Sequence, residues 1–263
     1  MLRVNQIYLP KQRIWMALLL IWALFAMATG WASDDFLREW RQAVQHNKLP
    51  VLRQNLHRIG RVDLTTERGK TALMAAAGAG AADLVQELLK LGADVNARNQ
   101  MGGTALMYAA AAGDTGTVKL LLANEANIDE QSVNGWTALM MAAAKDRSGV
   151  AAMLVAHAAD VNLPDVYGWS PLMRAAYAGH ADVVDILLSQ PAVAISMRND
   201  QGQTALHLAA IQGQSHIVKA LLERGARPDM ADFAGRTPRS IARAQGYNLP
   251  GLLSADMSPT APQ

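Results

Sequence analysis

The chain contains no cysteine. That excludes disulfides, thiolate metal sites and cysteine nucleophiles, and it leaves an exported protein with no thiol to misjoin. Aromatic residues are scarce, at 5% of the chain, so any local concentration of them stands out. Acidic residues are missing entirely before Asp34, whereas Arg3, Lys11 and Arg13 lie there. Removing those three from the 24 basic side chains leaves 21 against 22 acidic ones. The body of the chain is therefore near neutral, which argues against nucleic acid as its main partner. Long apolar runs are also few. The longest, Ile14–Ala28, has fifteen residues, short of the roughly 20 that a membrane-spanning helix needs.

What is present at the start has a pattern of its own. A basic region ends at Arg13, the apolar run follows, and Gly30 and Ala32 put small residues before "SDD". This is similar to a bacterial secretory signal peptide cut after Ala32, which makes the expected location periplasmic. The alternative is an uncleaved anchor in the inner membrane, facing the periplasm.

The rest of the chain repeats. "TALMAAA" begins at Thr71, "TALMYAA" at Thr104, "TALMMAA" at Thr137, "SPLMRAA" at Ser170, "TALHLAA" at Thr204 and "TPRSIAR" at Thr237. The steps are 33, 33, 33, 34 and 33 residues, and a fixed period in this range marks stacked structural repeats. A glycine precedes each Thr or Ser by two residues, from Gly69 to Gly235, where a tight turn is predicted. The hydroxyl residue is a predicted helix N-cap, and Pro171 and Pro238 then fall at the first helical position, where proline is tolerated. A short alanine-rich helix follows, closed by Gly80, Gly113, Asp146, Gly179, Gly213 or Gly246. The second helix of each unit carries apolar residues at i, i+1, i+4 and i+5, as in Leu84, Val85, Leu88 and Leu89, and so buries one face.

These motifs resemble the ankyrin repeat, over roughly residues 36–253. The resemblance implies an all-α solenoid of paired antiparallel helices with projecting hairpin loops. It implies a non-catalytic module, without cofactor or metal, that binds another protein along a concave face of loop tips and first helices. The array is read as monomeric, and it meets a membrane only through the N-terminal segment if that stays uncleaved. The expected layout is a leader over 1–32, a degenerate N-terminal capping repeat over 33–66, the array over 67–253, and a disordered tail over 254–263. The implied role is to hold a periplasmic or envelope partner, stabilising or assisting an enzyme. The alternatives are an immunity-type inhibitor that occludes a toxin or enzyme active site, and a membrane-anchored scaffold.

Carrying the partner-facing slots of the family onto this chain gives Glu67, Arg68 and Lys70, then Gln100 and Met101. Asn134, Trp136 and Lys145 follow, then Tyr167, Trp169 and Tyr177, then Asp200, Gln203 and Gln212, and finally Phe233 and Arg236. Met141 is added because packing needs leave it over. Aromatics concentrate in the third and fourth units, and Trp and Tyr often anchor interfaces. The narrowed candidate set is Met101, Trp136, Met141, Lys145, Tyr167, Trp169, Tyr177 and Arg236.

Three departures from the family pattern stand out. Met74, Met107, Met140 and Met173 replace the histidine that only His207 keeps, which predicts an apolar ladder through the stack. Asp146 stands where the other units have glycine. One extra residue lies within Ser189–Asp200. Catalytic signals are lacking. Gly69-Lys70-Thr71 mimics the end of a phosphate loop, but Leu64 stands where that motif needs glycine. None of the six histidines has metal-ligand spacing, and no serine sits in a nucleophile elbow.

Overall fold

A hydroxyl side chain starts nearly every first helix. Thr71, Thr104, Thr137, Ser170 and Thr237 each accept, through Oγ, the backbone N–H three residues on, at 3.1–3.4 Å. That satisfies one of the donors a helix start leaves open. The computed structural model describes residues 34–59, 62–249 and 251–252, and among them the chain is all-α, with no strand. The expected leader and tail lie outside the described residues.

Thirteen α-helices occur among the described residues. The first pair is α1 (Asp34–Gln45) and α2 (Leu49–Asn55), which a 3₁₀ turn over Leu56–Arg58 follows. Five further pairs are α3 (Ala72–Gly78) with α4 (Ala82–Lys90), α5 (Ala105–Ala112) with α6 (Thr115–Ala123), α7 (Ala138–Ala144) with α8 (Ser148–Ala156), α9 (Pro171–Ala178) with α10 (Ala181–Leu188), and α11 (Ala205–Ile211) with α12 (Ser215–Glu223). Helix α13 (Pro238–Gln245) closes the order. First helices pack on first helices and second helices on second helices, so the stack has two layers around one continuous core. No helix among the described residues is long and apolar enough to cross a membrane.

Small residues set the spacing of the first layer. Ala76, Ala109, Ala142, Ala175, Ala209 and Ala242 occupy one register position and are all fully buried. A methyl group there lets adjacent helices approach without leaving a void. Leu88, Leu121, Leu154, Leu187 and Leu221 fill the matching position of the second layer, again fully buried. The predicted methionine ladder is present: Met74, Met107, Met140 and Met173 are at most 2% exposed.

The extra residue in the fourth unit has a physical reason. Four other second helices end by placing one residue in the left-handed region: Gly92, Glu125, Ala158 and Gly225. The next N–H then bonds back to the helix, as Ala159 does to the Leu154 carbonyl at 3.0 Å. Pro191 occupies that slot in the fourth unit, and its ring holds φ negative. The left-handed turn is closed to it, and the additional residue carries the chain round instead. Val193 N–H bonds to the Gln190 carbonyl at 3.2 Å in the replacement turn. Asp146, the substitute for glycine after α7, sits in the left-handed region, at φ 55°.

Candidate protein-binding face

Each hairpin is anchored by the polar residue three positions before its glycine. Asn99 Oδ1 accepts the N–H groups of Met101 and Gly103, both at 2.9 Å. Asp165 Oδ1 does the same for Tyr167 and Trp169, and Asp232 Oδ1 for Ala234 and Arg236. Successive hairpins are joined by one backbone bond each: Gln100 to Arg68, Val133 to Met101, Val166 to Asn134, Asp200 to Tyr167 and Phe233 to Gln201, at 2.9–3.1 Å. The loop tips therefore form one rigid row above the first helices.

The anchors also aim side chains. Asn99 Nδ2 donates to the Tyr108 hydroxyl at 3.0 Å, which fixes that ring on α5. The Asp165 carboxylate is wholly buried, and its second oxygen pairs with Arg174 of α9. The Arg174 guanidinium carbon lies 4.7 Å from the Trp136 ring centroid and 4.5 Å from that of Trp169. Trp169 in turn meets Tyr177 edge-on, with centroids 5.4 Å apart and planes at 82°. Trp136, Arg174, Trp169 and Tyr177 thus form a continuous stack across the third and fourth units. In the last hairpin, burial alone would push the Asp232 carboxyl up. Hydrogen bonds from the Arg236 backbone and guanidinium outweigh it and hold the group below the usual aspartate value.

A cavity of about 410 Å³ opens between the hairpins and first helices of the second and third units. Met101, Met107, Tyr108, Trp136 and Met141 give it apolar walls, and Asn134 supplies a polar edge. Three of the predicted residues, Met101, Trp136 and Met141, are therefore brought together. Met101 is 58% exposed at its hairpin tip, while Trp136 and Met141 are half-buried. Trp169 and Tyr177 lie beyond Arg174, and Tyr167 is exposed on the next tip. Lys145 is exposed at the end of α7. Arg236 is on the last hairpin, tied to Asp232 and away from the cavity. Gln203 does not face outward: it is buried, and its side-chain oxygen accepts from Asn199 inside the hairpin.

Sequence reasoning did not single out Tyr108, Arg174 or Asp165. Their signal was positional. Tyr108 and Arg174 share a register slot with Ala75, Met141, Leu208 and Ile241, and Arg174 is the one charged residue in it. Among the described residues no group of three or more His, Asp or Glu side chains gathers in a way that could hold a metal ion.

A family model for ankyrin repeats in sets of three matches residues 40–132, 110–196, 165–232 and 190–256. The chain belongs to the ankyrin-repeat family. Ankyrin repeats are in general non-catalytic modules for protein–protein interaction. Curated relatives share only part of the array. NF-kappa-B inhibitor alpha of Sus scrofa is 46% identical over 52 residues, which is 20% of this chain and 17% of that protein. The putative ankyrin repeat protein YahD of Escherichia coli strain K12 is 35% identical over 74 residues, 26% of this chain and 37% of that one. Calmodulin-binding transcription activator 5 of Arabidopsis thaliana is 36% identical over 69 residues, 24% of this chain and 8% of that one. The chain thus spans well under half the length of each of these relatives.

Proposed function

We propose that this ankyrin array is a binding module that holds a partner protein against its hairpin tips and first helices. The observation that carries the reading is the apolar cavity walled by Met101, Tyr108, Trp136 and Met141. Large apolar side chains on a rigid frame are what a partner's anchor residue needs, and such anchors supply most of an interface's energy. The Arg174 stack extends that surface to Tyr177 and Tyr167. The same reading makes the chain an exported protein of the periplasm or envelope, on the strength of its basic, then apolar, then small-residue leader. Stabilising or assisting an enzyme fits such a surface. Occluding a toxin's active site uses the same chemistry, and the local likeness to a protein named as an inhibitor favours it weakly.

Two measurements test the proposal. Met101→Asp changes an exposed side chain, so the variant is expected to melt with the parent. Purified from the native compartment, the parent should bring down one partner in stoichiometric amount, and the folded variant should lose it. A partner retained in full by Met101→Asp, or no stoichiometric partner for the parent, overturns the reading. Sequencing the mature N-terminus tests export: Ser33 as the first residue is expected, and Met1 would favour the anchor.

A further inference from the structure

We infer that the occupant of this face is an extended protein segment in which an acidic stretch adjoins a large apolar side chain. The inference rests on the reading of the apolar cavity as the partner's anchor point, and adds the partner's chemistry. Next to that cavity, at the N-terminal end of the stack, a second cleft of about 740 Å³ runs between α1 and the first hairpin. The face that α1 turns to it carries Arg38 and Arg41, while Glu39 lies outside the lining. Arg68 completes a basic wall, and the lining holds a single acid, Glu67.

Little neutralises the arginines of this wall. Elsewhere in the array Arg53 pairs with Asp83, His57 lies 3.5 Å from Glu87, and Arg98 pairs with Glu130. Arg41 and Arg68 are exposed and make no ion pair among the described residues. Arg38 has only Asp35 at 3.7 Å, and both side chains are largely solvated. Unpaired arginines cost nothing while exposed to water, and they give a partner's carboxylates a bidentate site once it docks.

The two clefts form one path. Lys70 follows Arg68 on the same hairpin, donates to Asn47 Oδ1 at 2.6 Å, and sits with its ammonium 6.0 Å from the Tyr108 ring centroid. Burial lowers its pKa, which marks a cation held partly out of water. Tyr108 is already a wall of the apolar cavity. A chain lying from Arg41 to Trp136 therefore passes a basic cleft, a cation over an aromatic ring, and an apolar pocket in that order. An acidic stretch beside an apolar anchor complements this order; a polyanion without the anchor leaves the pocket empty.

The test uses the full chain and labelled synthetic peptides. The probes carry a run of glutamates next to Leu-Phe-Leu-Phe, in both orders, with lysine-run counterparts and a single-stranded oligonucleotide of equal charge. In fluorescence anisotropy at low salt, one glutamate probe should bind about tenfold more tightly than its lysine counterpart and weaken steeply as salt rises. Arg41→Glu with Arg68→Glu, both at exposed positions, should keep the melting temperature and weaken that probe about tenfold, mainly through slower association. Equal binding of glutamate and lysine probes, tighter binding of the oligonucleotide, or an unaltered charge-reversed variant overturns the inference. If neither glutamate probe binds while Met101→Asp still releases the native partner, the acidic chemistry falls and the anchor reading stands. If Met101→Asp releases nothing, both fall.

Discussion

Arg174 stacks on Trp169 with its guanidinium carbon 4.5 Å from the ring centroid, and from there it neutralises the buried Asp165. The aromatic patch is thus part of a charge-compensating structure as well as a surface. Removing Arg174 would strand a carboxylate whose side chain is fully buried, although the Tyr167 and Trp169 N–H groups would still bond to it. Arg174→Ala should therefore cost about 2–3 kcal/mol, the range for a lost charged hydrogen bond with partial compensation. Arg174→Ala combined with Asp165→Asn should recover about half of that, because the amide needs no counter-ion. Urea unfolding of the two variants checks this; equal midpoints would show that the charge is not what Arg174 serves.

Backbone conformation gives a second expectation. Ala158 holds a left-handed conformation, at φ 63°, that glycine fills in other units. Ala158→Gly should stabilise by about 0.5–1 kcal/mol, after the unfolded chain's extra freedom is set against the relieved strain. Gly135 and Gly225 form the converse pair. A Cβ on Gly135 would fall 2.7 Å from the Asp165 Cα, whereas nothing lies within 4 Å of one on Gly225. Gly225→Ala should lose only the conformational term, about 1 kcal/mol. Gly135→Ala should lose clearly more, because it pushes two hairpins apart. Thermal melts of both proteins rank the two effects, and an inverted ranking would refute the steric argument.

How far the sequence could be read follows from where each signal is written. The period, the N-caps, the methionine ladder and the strained Asp146 depend on residues within one unit, and local chemistry repeats them. The 34-residue step was visible, but its cause needed the loops superposed so that Pro191 fell on Ala158 and Gly225. The Arg174 stack was not legible, because Trp136 and Trp169 come from hairpins of different units and meet only once those units stack. Tyr108 likewise gains its role from Asn99, which lies on the hairpin before its helix and bonds to its hydroxyl. Gln203 was misread as outward-facing because its neighbour Asn199 offers an internal partner that spacing does not reveal.

His207 predicts a pH dependence. Its Nδ1 accepts the Thr204 N–H at 3.1 Å, and its Nε2 lies 3.1 Å from the Arg236 carbonyl of the next unit, so the neutral ring with hydrogen on Nε2 fits. Burial first of all holds its pKa below the usual 6.5. The unfolded state therefore binds the proton more readily than the folded one. The stability this neutral ring supplies is complete above pH 6.5, and is lost as pH falls from there toward the depressed folded value. His207→Met, the residue four other units use, should remove that slope while costing about 1–2 kcal/mol at neutral pH for the ring's hydrogen bonds to Thr204 and Arg236. Denaturation midpoints between about pH 5 and 8 check it; a slope unchanged in His207→Met would assign the dependence to other groups.

Met101 and the buried methionine row should meet different fates under oxidant. Met101 projects from a hairpin tip, whereas Met74, Met107, Met140 and Met173 are at most 2% exposed. Peroxide should convert Met101 to the sulfoxide first, with little effect on melting, because that side chain carries no core packing. The ladder should react only when the stack opens, so its rate should rise with mild denaturant in step with unfolding. Once oxidised, each ladder position puts a polar S=O group between helices with no partner reserved for it, costing about 1–3 kcal/mol per site. Peptide mass spectrometry over a peroxide time course separates the two populations. Ladder sulfoxides forming as fast as that of Met101 in native buffer would contradict the packing, and a melting temperature unmoved by ladder oxidation would show that the row does not hold the layers together.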